Sequence, residues 1–146
     1  MPANTTPIFI LTPNRGINGG ARITGANTTR DLSVTTNAVI LLSGGTDGSR
    51  IDAIEWNHSS SGATASVATI GRLFQCSDNN FSNPRLLKEV SLAAITPNQT
   101  ATIGQTQTMT FTSPIILPAG FSLVVTIGTA QSAGNYYDVI AYGGNY

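Results

Sequence analysis

A chain of 146 residues with 40% hydrophobic and only 10% charged residues is long enough for one domain with its own core and too apolar for a disordered segment. Seven basic residues balance seven acidic ones, which leaves no electrostatic footprint for nucleic acid or an anionic membrane. The single cysteine, Cys76, excludes an intramolecular disulfide and a cysteine-rich zinc site.

Thr, Ser, Asn and Gly supply the polar surface in place of charge. That composition suits strands, turns and surfaces that pack on neighbours, and so points to life inside an assembly. The first residues, MPANTTPIFILTPNRG, lack a basic n-region and a long apolar run, so neither a secretory signal nor a membrane span is expected.

Residues 1–12 read as an arm with a short strand, Ile8 to Leu11, between Pro7 and Pro13. Residues 13–31 are rich in Gly, Asn and Thr without a sustained period, and read as an extended arm or loop that orders against something else, with a floppy lead-in as the alternative. The division expected is therefore an N-terminal arm over 1–30 and a β-domain over 31–146.

From Asp31 the pattern becomes regular. Leu32 to Leu42 reads as a strand, apolar on both faces at its end. Ser43 to Ser49 is a Gly-rich turn. Arg50 to His58 places Ile54, Trp56 and His58 on one face but Ile51 and Ala53 on the other, which predicts a bulge or twist near Ala53. Val67 to Ser77 is a long strand in which Arg72 shares the parity of Ile70, Phe74 and Cys76. Arg85 to Ala94 reads as a strand between Pro84 and Pro97. Thr96 to Gln107 is a polar connection, and Met109 and Phe111 share one face of a strand bounded by Pro114.

Leu117-Pro118-Ala119-Gly120 marks a corner, because proline lacks an N–H and glycine tolerates left-handed angles. Phe121 to Ile127 alternates with period two. A polar loop and a closing strand to Tyr142 follow. About eight strands with turns between them and no 3.6-residue period predict an all-β antiparallel sandwich, jelly-roll-like, with other two-sheet topologies as the alternative.

No residue group makes a convincing catalytic or metal site. His58 is the only histidine and reads as a strand-end residue; no G-x-S-x-G elbow accompanies it. Asp52 and Glu55 have opposite parity, which does not suit a carboxylate pair. Asp47 reads as a plain Asp-Gly turn residue rather than a calcium ligand. Sequons begin at Asn4, Asn27, Asn57 and Asn98 and read as products of composition. Trp56 with Tyr136, Tyr137, Tyr142 and Tyr146 would make a sugar-binding platform if exposed; core or interface packing is the plainer reading.

Several segments together resemble small virion-associated proteins of tailed bacteriophages and prophages. They are Gly48-Ser49-Arg50-Ile51-Asp52, Arg72-Leu73-Phe74, Leu86-Leu87-Lys88-Glu89-Val90, Leu117-Pro118-Ala119-Gly120 and the ending Asp138 to Tyr146, DVIAYGGNY. The resemblance spans roughly the last hundred residues; Asp is common in that group where Asn145 stands. It implies a structural virion protein rather than an enzyme, assembled in the host cytoplasm, most simply a capsid decoration (cement) protein. It also implies a homo-oligomer, a trimer by preference, bound to the major capsid protein, with no cofactor, nucleic acid or membrane. A tail or head-fibre part, or a glycan-binding sandwich for host attachment, is the alternative.

The interface residues expected are Pro7, Ile8, Phe9, Ile10 and Leu11 of the arm, together with Tyr142 and Tyr146. The arm is apolar on both faces, so it would add to the edge of a neighbouring sheet.

Overall fold

The computed structural model describes residues 12–98 and 106–146. Eight strands form two four-stranded sheets: β1 (Thr12–Ile23), β2 (Val39–Ser43), β3 (Ser49–Ser60), β4 (Thr69–Cys76), β5 (Arg85–Leu92), β6 (Thr106–Leu117), β7 (Ser122–Ile127) and β8 (Asn135–Asn145). Sheet A has the order β1-β8-β3-β6 and sheet B the order β2-β7-β4-β5, and all strand pairs within them are antiparallel. Successive strands lie in opposite sheets except β4 and β5, which pair within sheet B, and these two strand orders are those of a jelly roll. The expected fold class is the observed one.

The core lies between the sheets. Ile51, Ile54 and Trp56 of β3 meet Leu73 of β4, Leu123, Val125 and Ile127 of β7, and Tyr137, Val139 and Ala141 of β8. The Trp56 ring determines what lies across from it: a Cβ on Gly71 would sit 3.0–3.1 Å from three ring carbons. Glycine in that strand is the space the indole occupies.

The bulge expected near Ala53 is present at Asp52. Ile51 pairs with Gly143 and Ala53 with Tyr142, so Asp52 is the extra residue. The extra residue resets parity, which is how Ile51 enters the same core as Ile54 and Trp56. Where the strands draw together, a Cβ on Gly143 would lie 1.9 Å from the Arg50 carbonyl oxygen.

Three boundaries differ from the sequence expectations. The segment expected as a loop over 13–31 is largely β1, which pairs with β8 from Thr12 to Ile23. Its Gly-rich middle hid the strand: Gly16 to Gly19 bulge out opposite a single residue, so no period survives through them. The sandwich therefore begins at Thr12, not Asp31; residues 1–11 lie outside the described residues. The strand expected from Leu32 is only Val39–Ser43. Leu32 and Asn37 take positive φ (57° and 59°), and Asp31 Oδ1 accepts from the Ser33 amide and hydroxyl, so the backbone is spent on turns before Val39. The strand expected to stop at Pro114 continues to Leu117, because β6 is an edge and Phe111 to Pro114 form a bulge opposite Asp52.

β7 is buried along its whole length. Leu123, Val125 and Ile127 face the main core, while Val124 on the opposite face joins Leu32, Phe74 and Cys76 in a second cluster. The residues between β1 and β2 are what cover that outer face of sheet B.

Candidate functional site

Two constructions organise the polar residues. The first is the clasp that holds the β1–β2 segment on sheet B. Asn27, 4% exposed, donates from Nδ2 to the Val34 and Thr36 carbonyls (2.7 and 2.9 Å). Its Oδ1 accepts from the Thr29 amide and hydroxyl (3.1 and 2.8 Å). Its own amide donates to the Ile127 carbonyl at 2.7 Å, and its carbonyl accepts from Arg72 Nη1 at 3.0 Å.

Arg72 is buried and donates from Nε to Glu89 Oε1 at 2.9 Å. Arg30 donates to the other Glu89 oxygen at 2.6 Å. The two guanidiniums, Arg72 first, hold the Glu89 carboxyl below its usual range. Beneath the clasp, burial pushes the Cys76 thiol up to about 11. Sequence reasoning missed this clasp. The available signal was Arg72, one charge at the parity of Ile70, Phe74 and Cys76, which in a buried strand demands a partner.

The second construction is the end of sheet A where Thr12, Asn145, Ser49 and Leu117 lie in one row across the four strands. The Ser49 hydroxyl donates to Asn145 Oδ1 at 2.6 Å and accepts from the Gly45 amide at 3.0 Å. The Tyr146 amide donates to the Gly48 carbonyl at 3.2 Å. Gly48 (φ 95°) and Gly120 (φ 79°) supply the left-handed residues of the two turns here. The Phe121 amide closes the second turn on the Pro118 carbonyl at 3.2 Å.

Of the expected interface residues, Pro7, Ile8, Phe9, Ile10 and Leu11 lie outside the described residues. Tyr146 is half-buried at this end, beside Gly48. Tyr142 is half-buried on the outer face of sheet A, where its hydroxyl donates to Glu55 Oε2 at 3.4 Å. The two tyrosines therefore share a strand end but not a contact surface with one another that any bond defines.

On the same outer face, Arg22 forks onto Asp138 (2.8 and 3.1 Å) and stacks 3.9 Å above the Tyr136 ring. Ser59 donates to Asp138 Oδ2 at 2.7 Å. The Arg22 hydrogen bond is the main reason the Asp138 carboxyl is held low.

An exposed aromatic platform built on Trp56 is not formed. Trp56 and Tyr137 are both 0% exposed, because the Asp52 bulge and the parity of β8 turn them into the core. His58 Nε2 lies 3.0 Å from Asn135 Oδ1, and its ring meets Tyr137 edge-on at 5.7 Å. That arrangement offers His58 an amide rather than a nucleophile and a carboxylate. Asp52 pairs with Arg50 at 2.8 Å, while Glu55 accepts from Asn57 Nδ2 at 2.8 Å, so each has its own partner. Among the described residues no three His, Cys, Asp or Glu side chains come together as a metal cluster. The sequon asparagine Asn27 is committed on both side-chain atoms within the clasp.

No protein-family model matches the chain, and no curated protein matches it. Among solved structures, one described as "Structure of Eiger TNF from S. frugiperda" aligns over 92% of this chain and 91% of that chain, at 12% identity and a TM-score of 0.37. A likeness at that level assigns neither family nor function.

Proposed function

We propose that the chain is a structural component of a bacteriophage particle, a capsid decoration protein that binds the major capsid protein as a homo-oligomer. What supports the reading is where the phage-like segments lie. Gly48 to Asp52 opens β3, Leu117 to Gly120 is the β6–β7 turn, and Gly143 to Asn145 pairs with Ser49 to Ile51. Three of the five segments that carry the resemblance thus depend on one another at a single end of the sandwich. In this reading, a shared architecture of that end accounts for the order of the segments that carry the resemblance.

The physical character fits a part rather than a catalyst. Most of the polar side chains described above serve turns, the clasp and surface pairs. A neutral, charge-poor surface can be covered by neighbours without burying many ions, which is the costly step in forming a large interface. The function in this reading is to add contacts between capsid subunits.

Mass spectrometry of purified particles tests this. The expected result is a copy number comparable to the major capsid protein. A few copies per particle would assign the chain to the tail or a head fibre instead, and absence from particles would overturn the virion reading altogether.

A further inference from the structure

The β1–β2 segment covers only part of the outer face of sheet B. It crosses at the row formed by Thr126, Arg72 and Glu89, where the Asn27 carbonyl accepts from Arg72 and Arg30 bonds Glu89. One row further along β4 the face is open. Gly128, Ile70 and Ser91 stand side by side there: the Gly128 amide donates to the Ile70 carbonyl at 3.0 Å, and Ile70 pairs with Ser91. Ser91 is exposed, and Ile70 and Gly128 are half-buried. The register puts Ile70 and Arg72 together on the outer face, because Gly71 between them turns to Trp56 and the core. Ala68, Ala93 and Thr129 also line the resulting cavity, which measures about 500 Å³.

Arg72 is the one charged residue among those lining this cavity. Its side chain is 9% exposed, and a guanidinium carries five N–H donors. The donor on Nε goes to Glu89 and one on Nη1 to the Asn27 carbonyl. Nη2 has no acceptor among the described residues. It lies against Gly128, where a Cβ would come within 3.3 Å of Nη2 and 3.5 Å of Nη1. Gly128 is not left-handed, so the backbone does not require glycine there. What glycine provides is space over the unused end of the guanidinium, as at positions where a ligand comes close to a strand.

A donor this enclosed gains most from a charged acceptor, and a carboxylate matches the planar fork of a guanidinium. Charge favours an anion too, since two guanidiniums, Arg72 and Arg30, share the single Glu89 carboxylate. Asp31 does not line the cavity; it is exposed and bonded to Ser33, where water and salt screen its charge. The rest of the wall does not suit a multiply charged group. Ala68, Ile70, Ala93 and Gly128 are apolar, and the Thr69 hydroxyl is already held by the Thr129 amide at 2.8 Å. The Ser91 and Thr129 hydroxyls are the polar side chains left beside Arg72.

We propose that this cavity binds a carboxylate carried on a short aliphatic stem. The carboxylate takes the Nη2 edge of Arg72, and the stem lies over Ile70 toward Ala68 and Ala93. A free short-chain acid and a glutamate side chain of a partner protein share that chemistry. The proposal concerns this one cavity and stands apart from the virion reading.

NMR titration of the intact protein tests it, with butyrate as the probe. Butyrate should shift the Gly128 amide, the Ile70 methyls and the Arg72 Nε–H saturably, with a Kd on the order of millimolar for so small a ligand. Butyramide has the stem without the charge and formate the charge without the stem, so each should bind at least about tenfold more weakly. Butyramide equal to butyrate would remove the role of Arg72, and formate equal to butyrate that of the stem; either overturns the proposal, as does the lack of any saturable shift. N-acetylglutamic acid α-amide, whose carboxylate is the side chain alone, separates the two sources. Affinity at or above that of butyrate assigns the site to a partner's glutamate, and weaker binding assigns it to a free acid. Gly128→Ala should weaken butyrate binding by crowding Nη2. Ala93→Phe, at an exposed position that folding tolerates, should fill the cavity and abolish the shifts. A folded Ala93→Phe chain that binds butyrate as the parent does would overturn the assignment.

Discussion

Replacing Asn27 by alanine removes four side-chain hydrogen bonds, two given to Val34 and Thr36 and two received from Thr29. The backbone bonds to Ile127 and Arg72 survive the change. Val34 and Thr36 are exposed, so their carbonyls regain water on losing the amide. That places each bond near the bottom of the usual range of ~0.5–1.5 kcal/mol, at roughly 0.5–0.75 kcal/mol, and the four together at about 2–3 kcal/mol. The loss falls on the β1–β2 segment, which covers Phe74, Cys76 and Val124. It should therefore raise the population with Cys76 uncovered by about 30- to 150-fold, at roughly 1.4 kcal/mol per factor of ten.

Alkylation of the native protein at mildly alkaline pH reads that population directly, because the covered thiol is pushed up to about 11 and only the uncovered one reacts appreciably. Asn27→Ala should speed labelling by that factor and lower the urea midpoint. Thr29→Val, which removes one of the four bonds, should give a smaller change in the same direction. A labelling rate within twofold of the parent, with an unchanged midpoint, would refute the view that Asn27 holds the segment down.

Gly143→Ala should prevent folding, since its Cβ would lie 1.9 Å from the Arg50 carbonyl oxygen; a cooperative melt near the parent's would show that the β3–β8 bulge can open. Trp56, the only tryptophan and 0% exposed, should emit in the blue and resist iodide quenching, and ready quenching would contradict its place in the core. The carboxyls of Asp138 and Glu89 are held below their ordinary values of 3.8 and 4.5 by Arg22 and by Arg72 with Arg30. Their contribution is complete above those ordinary values and is lost as pH falls through the lowered ones. Urea midpoints should therefore drop in acid, and Glu89→Gln with Asp138→Asn should lower stability at neutral pH while flattening the acid slope; an unchanged slope would show that these pairs do not drive it.

The bulge at Asp52 was legible because parity is local: Ile51 and Ile54 cannot both face one core without an extra residue between them. The β6–β7 corner was legible for the same reason, since Pro118 and Gly120 state their backbone preferences wherever they stand. β1 was not legible. Its ends are strand-like, but Gly16 to Gly19 erase the period that would have joined them, and only pairing with β8 makes the two ends one strand. That Leu86, Leu87 and Ile116 stay exposed was not legible either, because they sit among alternating strand residues whose burial no local pattern fixes.

Composition, period and turn residues by themselves determined that this chain is an all-β sandwich of about eight strands. Those signals depend only on neighbours along the chain. Which strands became edges, which face of sheet B was covered and which aliphatics remained outside were decided by the tertiary structure alone. Leu86 and Leu123 look alike in the sequence, yet one stands on an edge and the other between two sheets. Burial is a property of the partners that the chain brings to a residue from far away, and no local pattern carries it.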